Sequence, residues 1–223
     1  DGLGSIGVSG IAVHPTNPQI IYIATGDGDA ADCFSIGVLK STDGGVTFLP
    51  TGLNWSQQNN RVIRRIQIDI DNPEIIMVAA SNGIHRSSDG GNTWSHLQVS
   101  INYFDLEAKP GANQTTWYAS TATAIFKSTD EGLTWSSVYS ITGSNRINLA
   151  VTNANPNYVY FVSSLSSDSG FKGLYRSTNS GTSFSQRSST PNILNQTSNG
   201  SESGGQGVYD LALAVDPTNA ETI

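Results

Sequence analysis

The sequence is poor in cysteine, in basic residues and in long apolar stretches, and each shortage disfavours a class of protein. The single cysteine, Cys33, leaves no partner for an internal disulfide and no cysteine cluster for a metal. Only 11 of 223 residues are Lys or Arg and the formal net charge is −7, whereas nucleic-acid binding rests on basic side chains. No apolar run approaches the ~20 residues of a membrane-spanning helix. Neither a nucleic-acid partner nor a membrane span is expected.

Ser, Thr, Asn and Gly are abundant, which indicates a β-rich extracellular protein. Charged residues make up only 13% of the chain, so its solubility rests on neutral polar groups. The first residues, DGLGSIG, lack a signal-peptide pattern, and we interpret them as the interior of a longer chain whose leader has been removed. We therefore expect the protein to be secreted or displayed on the cell surface.

An eight-residue stretch recurs four times and predicts the architecture. Its copies read STDGGVTF, SSDGGNTW, STDEGLTW and STNSGTSF. They begin at residues 41, 87, 128 and 177, so the spacings are 46, 41 and 49 residues. A period of about 40 to 50 residues is typical of a propeller blade with four strands.

Strand patterns between the copies agree with that architecture. In the first repeat, β-branched and aromatic residues predict strands at Gly10–Val13, Ile20–Thr25 and Gly37–Ser41, and a fourth from Thr47. Pro, Asn and Gly separate these segments, and helical spacing is absent. The sequence therefore predicts an all-β fold, a β-propeller of four-stranded antiparallel blades. The expected blades are 7–60, 61–102, 103–144 and 145–206, with the start of a fifth at 207–223.

Each recurring stretch is predicted to be the hairpin between the third and fourth strands of a blade. The polar residue near its start can accept hydrogen bonds from N–H groups two or three residues on, which is a structural role. The glycine after it takes the positive φ that other residues resist, and the closing aromatic ring is expected to be buried between blades. The residues with this structural role are Asp43, Asp89, Asp130 and Asn179. The copy with Asn179 is expected to form a looser turn.

The recurring stretch resembles the Asp-box, or bacterial neuraminidase repeat, Ser-x-Asp-x-Gly-x-Thr-Trp. Ser87–Trp94 and Ser128–Trp135 match every defined position, and Ser41–Phe48 departs only at its last residue. With HPTNPQIIYIATGDGD, GVLKSTDGG and GGQGVYDLALAVDPTN, the whole chain is similar to propellers of the sortilin and xyloglucanase superfamily. It most resembles large secreted Asp-box proteins of Bacteroidetes-like bacteria with C-terminal sorting domains. The resemblance implies a bacterial extracellular propeller and leaves its activity open.

The end of the sequence repeats its beginning. Residues 209–223, YDLALAVDPTNAETI, align with residues 7–21, GVSGIAVHPTNPQII, which places the last residues in the second strand of a fifth blade. Four and a half blades would leave apolar sheet faces open. We expect remaining blades of the same longer polypeptide to complete a ring of about six to eight. Closure by a second copy of the chain is the alternative.

Long loops on the face opposite the hairpins are where a function is expected. They lie between the second and third strands of the first repeat, 26–37, and of the fourth, 164–173, and in the connection 188–207. The first loop holds three acidic side chains that suit a hard cation, so Ca²⁺ is the cofactor considered: Asp27, Asp29 and Asp32. A solvated acidic loop without metal is the alternative.

The resemblance also implies a hydrolase alternative. Xyloglucanase-type enzymes carry a catalytic aspartate shortly after a tyrosine of the second strand. Here Asp27 follows Tyr22 but is displaced by one residue from that pattern, and Asp29 lies beside it. A glycosidase needs a second carboxylate across its cleft. The candidates for it are Asp210, Asp105 and Glu202.

Three arginines begin inner strands: Arg64, Arg65 and Arg146. They either face the channel of the ring or cap strand ends on the surface, and the second interpretation is favoured. A sialidase would need such a cluster for the carboxylate of its substrate. The Arg-Ile-Pro signature of sialidases is absent, which favours arginines that cap strand ends.

The leading functional prediction is recognition of a polysaccharide or protein through the loop-bearing face. The side chains expected to bind this ligand are Phe34, Arg64, Arg146, Phe171 and Tyr209. A glycoside hydrolase with paired carboxylates across a cleft is the second hypothesis. A structural module of a surface protein is the third.

Overall fold

The fold is all-β. A computed structural model describes residues 7–29, 32–111 and 115–223. Within these residues it contains sixteen strands and one 3-10 turn, Gln57–Asn59. The described residues include no helix of the length and apolarity that crossing a membrane requires.

The strands form four sheets, each made of four strands that pair antiparallel in chain order. The first sheet contains β1 (Val8–Val13), β2 (Ile21–Thr25), β3 (Gly37–Ser41) and β4 (Leu49–Asn54). The second contains β5 (Ile63–Ile68), β6 (Ile76–Ala80), β7 (Gly83–Ser87) and β8 (Ser95–Leu97). The third contains β9 (Asp105–Ala108), β10 (Trp117–Ser120), β11 (Ala124–Ser128) and β12 (Ser136–Ser140). The fourth contains β13 (Ser144–Val151), β14 (Val159–Leu165), β15 (Phe171–Ser177) and β16 (Ser185–Ser188). The predicted four-stranded antiparallel blades are confirmed.

The outer strand of the first sheet begins later than the sequence pattern predicts. Thr47 was expected to start it, but the strand starts at Leu49. The N–H and the hydroxyl of Thr47 both bond to the carboxylate of Asp43, at 2.9 and 2.6 Å, so Thr47 belongs to the turn.

The chain divides into two compact units, residues 1–106 and 107–223. In the first unit, alternate residues of β2, β3, β5 and β6 form one apolar core, because residues two apart on a strand point to the same face. This core includes Tyr22, Ala24, Val38, Ile66, Ile68, Ile76 and Val78. The second unit has its own core, which includes Tyr118, Ile125, Ile147, Leu149, Val159, Phe161 and Tyr175.

The four recurring stretches, here called the repeat hairpins, share one hydrogen-bond pattern. They are Ser41–Phe48, Ser87–Trp94, Ser128–Trp135 and Ser177–Phe184. In the second, the Ser87 hydroxyl donates to Oδ1 of Asp89 at 2.8 Å and accepts from the N–H of Gly91 at 2.9 Å. The Asp89 carboxylate then accepts from the N–H and the hydroxyl of Thr93, at 2.9 and 2.6 Å. The aspartate is thus satisfied within the turn, as a structural residue would be.

The main bonds of the aspartates reach one residue further than predicted. Asp43, Asp89 and Asp130 accept N–H bonds from residues four positions on, and smaller effects on the pKa of Asp43 and Asp89 come from the N–H groups of Val46 and Asn92, three positions on. The serine two positions before each aspartate accepts the shorter-range bonds instead, because its hydroxyl sits between the carboxylate and the bend of the turn. Its N–H donors lie two and four positions on, as for Ser128.

The fourth repeat hairpin is not looser than the others. Oδ1 of Asn179 accepts from the hydroxyl of Ser177 at 2.9 Å and from the N–H of Ser183 at 3.0 Å. The side-chain bond between these two positions has the opposite direction from that in the second hairpin. Here the amide Nδ2 of Asn179 donates to Oγ of Ser183 at 2.9 Å, whereas the hydroxyl of Thr93 donates to Asp89. Asn with Ser therefore replaces Asp with Thr without loss of a bond.

Two consecutive residues of each repeat hairpin adopt positive φ, where the sequence predicted one. In the second hairpin both are glycines, with φ of 65° and 89°. In the third and fourth, the first of the two positions is Glu131 (58°) or Ser180 (54°) and the second is glycine. In the fourth hairpin the second position also has a packing reason for glycine, because a Cβ on Gly181 would lie 2.8 Å from Cε1 of Tyr118.

The closing aromatic rings pack as predicted. Trp94 packs against the core of the first unit, and the Phe184 ring lies 5.3 Å from that of Tyr139 in the preceding sheet. Each tryptophan also donates its Nε1 hydrogen to its own hairpin, Trp94 to the carbonyl of Gly91 at 3.0 Å. Trp135, the most buried of the four, makes the same bond to the carbonyl of Gly132 at 2.9 Å.

The repeat hairpins also accept hydrogen bonds from the preceding sheet. In the first unit, Nζ of Lys40 donates to the carbonyl of Gly90 at 3.0 Å and the N–H of Gly52 donates to that of Gly91 at 2.9 Å. In the second unit, Nζ of Lys127 donates to the carbonyl of Ser180 at 2.7 Å. Lysines that precede a hairpin therefore join neighbouring sheets.

The segment 207–223 keeps the turn of a fifth repeat but not its strands. The N–H of Asp216 donates to the carbonyl of Thr222 at 2.9 Å, as His14 does to Ile20 in the first repeat. No strand is present in this segment, all of which is described, so the predicted strands of a fifth blade are not formed here.

Candidate functional site

The loop between β2 and β3 is closed at its base by one threonine. The hydroxyl of Thr25 donates to the carbonyl of Gly37 at 2.7 Å and accepts from the N–H of Ile36 at 2.9 Å. Further out, the N–H of Asp27 donates to the carbonyl of Cys33 at 2.7 Å. These bonds fix the position of Asp27 relative to the sheet.

The same loop packs onto the beginning of β5. A Cβ on Gly28 would lie 3.0 Å from the carbonyl oxygen of Ile63, so this close approach favours glycine. The N–H of Ser35 donates to the carbonyl of Arg61 at 2.8 Å, and Nη1 of Arg64 donates to the carbonyl of Gly28. The described residues of this loop, 26–29 and 32–37, are therefore packed onto the first unit.

The acidic residues of this loop are arranged as a turn. The N–H of Asp29 donates to Oδ1 of Asp27 at 2.9 Å, which is an Asx-turn. Asp27 is half-buried, whereas Asp29 and Asp32 are exposed. Within the described part of the chain, no three His, Cys, Asp or Glu side chains converge to hold a metal ion. Calcium binding by this loop stays a prediction.

A cationic and aromatic pair lies beside the loop. The guanidinium of Arg64 lies 4.3 Å from the centroid of the Phe104 ring, and its Nε donates to Oδ1 of Asn102 at 3.4 Å. With the bond to Gly28, this arrangement holds the half-buried Arg64 side chain in one orientation. We call Gly28, Arg64, Asn102 and Phe104 the Arg64 platform. Phe34, one of the aromatic residues predicted to bind a ligand, is half-buried in the β2–β3 loop.

Asp105, a candidate second carboxylate, is buried and charge-paired. Its Oδ1 lies 3.5 Å from Nε of Arg65, and the exposed fractions of the two side chains are 5% and 44%. The same oxygen accepts from the N–H of Leu106 at 2.9 Å. Arg65 borders a groove of about 290 Å³ lined by β1 and β5. The ion pair makes Asp105 a structural anchor for Arg65.

A histidine pair escaped the sequence analysis. The rings of His85 on β7 and His96 on β8 stack at 4.2 Å, because the two residues are cross-strand partners. The Trp55 ring meets His85 edge-on at 5.2 Å. Burial, together with smaller effects of His96 and Arg61, lowers the pKa of His85 to about 3. The sequence could have predicted this pair through the register of the β7–β8 hairpin, which places His85 directly opposite His96.

The Arg146 side chain donates hydrogen bonds to backbone carbonyl groups. It is buried, and its Nη1 donates to the carbonyls of Val208 and Tyr209, at 2.7 and 3.0 Å. Its Nε donates to Oδ1 of Asn148 at 3.3 Å. The Arg146 guanidinium thus binds the segment that follows the fourth sheet, and a ligand contact by Arg146 stays a prediction.

The predicted exposure of Phe171 is wrong. β14 and β15 extend further than expected, so the loop between them is only 166–170, and Phe171 starts a strand. Its ring is buried with Val162 and Leu211. The reason is a tight closure, in which the N–H of Leu165 donates to the carbonyl of Gly170 at 2.7 Å.

Tyr209 and Asp210 lie on the surface of the second unit. The Tyr209 side chain is 50% exposed, and Asp210 is exposed as well. Their N–H groups both donate to the carbonyl of Gln206, at 2.8 Å. They remain candidates for ligand contact and catalysis. Of the carboxylates named as a possible pair, Asp27 and Asp105 belong to the first unit, and Asp210 and Glu202 to the second.

The long connection 188–207 is an ordered loop rather than a spacer. Nδ2 of Asn192 donates to the carbonyls of Glu202 and Gly204, at 3.0 and 2.8 Å, and its Oδ1 accepts from the N–H of Phe171 at 2.8 Å. The Asp168 carboxylate accepts from the N–H groups of Gly170 and Gly204, which lowers its pKa. The Asn192 and Asp168 side chains, which the sequence analysis did not single out, fasten this connection to the β14–β15 loop.

Comparison with known proteins identifies xyloglucanases among the relatives. No family model matches the chain. A xyloglucanase from Paenibacillus sp is 30% identical over 165 residues, covering 59% of this chain and 16% of the relative. The xyloglucanase Xgh74A of Acetivibrio thermocellus is 29% identical over 165 residues, covering 59% of this chain and 20% of the relative. The chain thus spans between a sixth and a fifth of the length of these curated relatives.

Solved structures share the fold. The GH74 xyloglucanase from Xanthomonas campestris has a TM-score of 0.66 at 18% identity, covering 97% of this chain and 34% of that one. An ancestral GH74 enzyme has a TM-score of 0.63 at 23% identity, with coverages of 81% and 24%. YCF48 from Cyanidioschyzon merolae has a TM-score of 0.58 at 15% identity, with coverages of 86% and 60%. At these identities the likeness concerns the fold alone, and with the four sheets it identifies the chain as four blades of a β-propeller.

Proposed function

We propose that this chain is part of an extracellular Asp-box propeller that binds a neutral, β-glucan-type polysaccharide through its loop-bearing face. The observation that carries the proposal is the Arg64 platform. Its guanidinium is held 4.3 Å from the Phe104 ring by fixed acceptors on two other segments. Further blades of the same polypeptide would complete the ring.

A sugar ring suits such a platform for two reasons. Its C–H faces pack on flat, weakly hydrated surfaces such as an aromatic ring or a guanidinium plane. Its hydroxyls pair with a few fixed polar groups, which here are the side chains of Asn102 and Asp27. A net charge of −7 makes a neutral polymer a better ligand than an acidic one for this face.

The relatives support the same substrate class. Two curated relatives are named xyloglucanases, and both match 59% of this chain. Xyloglucan is therefore the first polysaccharide to test. A protein ligand remains the alternative for a recognition propeller.

The test compares two arginine variants of the full-length protein on soluble xyloglucan by affinity gel electrophoresis. Arg64→Met should weaken binding at least about tenfold, since hydrogen bonds to charged groups contribute about 1.5–3 kcal/mol. Arg187→Met, which removes an exposed arginine from β16, is the matched control and should bind like the wild type. Equal binding by Arg64→Met and the wild type would overturn the proposal.

A second candidate function is hydrolysis of the same polymer, with Asp27 as one of the two carboxylates. It is favoured by the names of the curated relatives and by the ordered, half-buried position of Asp27. Release of reducing ends from xyloglucan by the full-length protein would support it. Asp27→Asn should then abolish release, whereas Asp32→Asn in the exposed part of the loop should not. Binding without any release would reject hydrolysis.

A further inference from the structure

The third repeat has a lysine where the other repeats have a hydrogen-bond acceptor. In each repeat a turn joins the first strand to the second, and one residue lies just before that turn. In the other repeats the side chain of this residue accepts hydrogen bonds from N–H groups of the turn. These residues are His14, Asp69, Thr152 and Asp216. Lys109 takes this position, since its N–H donates to the carbonyl of Thr116 as that of His14 does to Ile20. An ammonium group only donates, so Lys109 cannot cap its turn.

The Lys109 side chain instead reaches the fourth repeat hairpin. Its Nζ donates to Oγ of Ser180 at 2.9 Å and to Oδ1 of Asn157 at 3.3 Å. Nζ of Lys127 donates to the carbonyl of the same Ser180 at 2.7 Å. Within the described residues, both ammonium groups bond to neutral oxygens only. Burial lowers the pKa of Lys127, and the charge of Lys109 lowers it further, so the two cations destabilise each other.

Two equivalent sites elsewhere in the chain contain a carboxylate. In the first unit, a Cβ on Gly90 would lie 2.8 Å from Oε2 of Glu74 and 3.4 Å from Nζ of Lys40, so the lysine has a glutamate nearby. After the fourth sheet, Arg176 pairs with Glu221. Glu74 and Asn157 are equivalent, because the carbonyl of each accepts the N–H of its own repeat hairpin, from Gly90 and from Ser180. Asn157 therefore stands where two other repeats have glutamate, whereas in the third repeat Thr115 accepts the same N–H bond, from Glu131.

A buried hydroxyl beside the Ser180 side chain also lacks a hydrogen bond of normal geometry. Tyr22 of the first sheet donates its hydroxyl to the carbonyl of Gly90 at 2.9 Å. Its counterpart Tyr118 is fully buried, and its hydroxyl makes no hydrogen bond of normal geometry. Burial raises the pKa of Tyr118 to about 12, so at neutral pH the hydroxyl is a donor. A buried donor without a partner destabilises the folded state, and a ligand oxygen would provide the missing acceptor.

We propose that Lys109, Lys127 and Tyr118 form a binding site for a single oxyanion, a sulfate or carboxylate group, in the position of the missing glutamate. Two ammonium groups and a hydroxyl provide charge and donors, and the anion removes the repulsion between the lysines. Asn157 and Lys109 lie at the solvent side, where the anion enters. The anion is either a free inorganic ion or a substituent on an acidic saccharide. This site is separate from the Arg64 platform and does not depend on the proposed function.

The first experiment follows thermal unfolding of the wild type and two Asn157 variants as sodium sulfate replaces sodium chloride at constant ionic strength. Sulfate should raise the Tm of the wild type and of Asn157→Gln, because a ligand that binds only the folded state stabilises it. Asn157→Glu should have a higher Tm without sulfate and no sulfate-specific rise, because its own carboxylate fills the site. An equal sulfate response in the wild type and in Asn157→Glu would overturn the proposal.

The second experiment measures binding directly and separates the two sources of the anion. Isothermal titration calorimetry with inorganic sulfate and with glucuronate should give at least tenfold weaker binding for Lys109→Met, with Lys40→Met as the matched control that binds like the wild type. Tighter binding of glucuronate assigns the site to an acidic saccharide, and tighter binding of sulfate assigns it to the inorganic ion. Binding of neither ligand by the wild type would reject the site.

Discussion

The hydroxyl of Tyr22 donates a 2.9 Å hydrogen bond to the carbonyl oxygen of Gly90, which lies in the repeat hairpin of the next sheet. Nζ of Lys40 donates to the same oxygen at 3.0 Å. Gly90 has φ of 65°, and this conformation turns its carbonyl away from the hairpin's own bonds. The repeat hairpin thus performs two tasks, closing its own sheet and receiving the side chains of the sheet before it.

Removing the Tyr22 hydroxyl should therefore destabilise the first unit. We expect Tyr22→Phe to lower the free energy of unfolding by about 1 kcal/mol, the typical net value of a hydrogen bond. The matched control is Tyr118→Phe, which removes a buried hydroxyl without a normal hydrogen bond and should be neutral or slightly stabilising. Urea denaturation in sulfate-free buffer measures both. An equal loss in the two variants would show that ring packing, not the bond to Gly90, determines the result.

The aspartates of the repeat hairpins should make the folded state less stable at low pH. Hydrogen bonds from Thr93 and Thr134, followed by those from Ser87 and Ser128, lower the pKa of Asp89 and Asp130 to about 2 from 3.8. Because the folded-state pKa is the lower one, this stability is complete above about pH 4 and is lost as the pH falls towards 2.

The check on this acid dependence is Tm as a function of pH for the double variant Asp89→Asn, Asp130→Asn. Its Tm should fall less steeply between pH 4 and 2 than that of the wild type. Asn179→Asp, which adds a fourth carboxylate, should fall more steeply. Parallel curves for all three proteins would contradict a hairpin origin.

Two glycines with similar φ should differ in their tolerance of a methyl group. Gly181 has φ of 75°, and a Cβ there would lie 2.8 Å from Cε1 of the buried Tyr118. Gly143 has φ of 69°, and a Cβ there would meet only the flexible end of Lys172 at 3.5 Å. Both alanine variants suffer backbone strain of about 1 kcal/mol, but Gly181→Ala adds a steric clash of about 1–3 kcal/mol. Thermal unfolding of the two variants isolates the clash, and a similar Tm for both would argue against it.

The histidine pair should make the first unit sensitive to mild acid. Burial, with His96 and Arg61 nearby, lowers the pKa of His85 to about 3 from 6.5. The unfolded chain therefore takes up a proton before the folded chain does, and stability falls as the pH drops from about 6.5 towards 4. His85→Gln should show a flatter Tm profile over this range, measured by circular dichroism. A profile as steep as that of the wild type would assign the sensitivity to other groups.

Local patterns were sufficient to predict the sheets. Most strand limits were predicted within two residues, because side-chain alternation and Pro, Asn and Gly turns act over a few positions. β3, for example, covers Gly37–Ser41 as expected. The structural role of Asp43, Asp89 and Asp130 was also evident, although the partner four residues on was not.

Long-range contacts account for what the sequence did not predict. The surroundings of Phe171 and Arg146 depend on where residues 192–211 fold, which no local pattern encodes. The Arg64 platform likewise joins segments near residues 28, 64 and 104, far apart along the chain. Long loops predict that a functional surface exists, but they do not identify which of its side chains are already engaged.

The pairing of a sheet with the hairpin that follows, seen within each unit, has a consequence for how such arrays diversify. A duplicated repeat inherits both a donor set for its successor and an acceptor set for its predecessor. The second repeat brings Glu74 close to Lys40 of the repeat before it, whereas the fourth brings the neutral Asn157 to Lys109. Exchanging these two repeats would therefore change the charge balance of the junction, and a matched exchange of Glu for Asn would restore it.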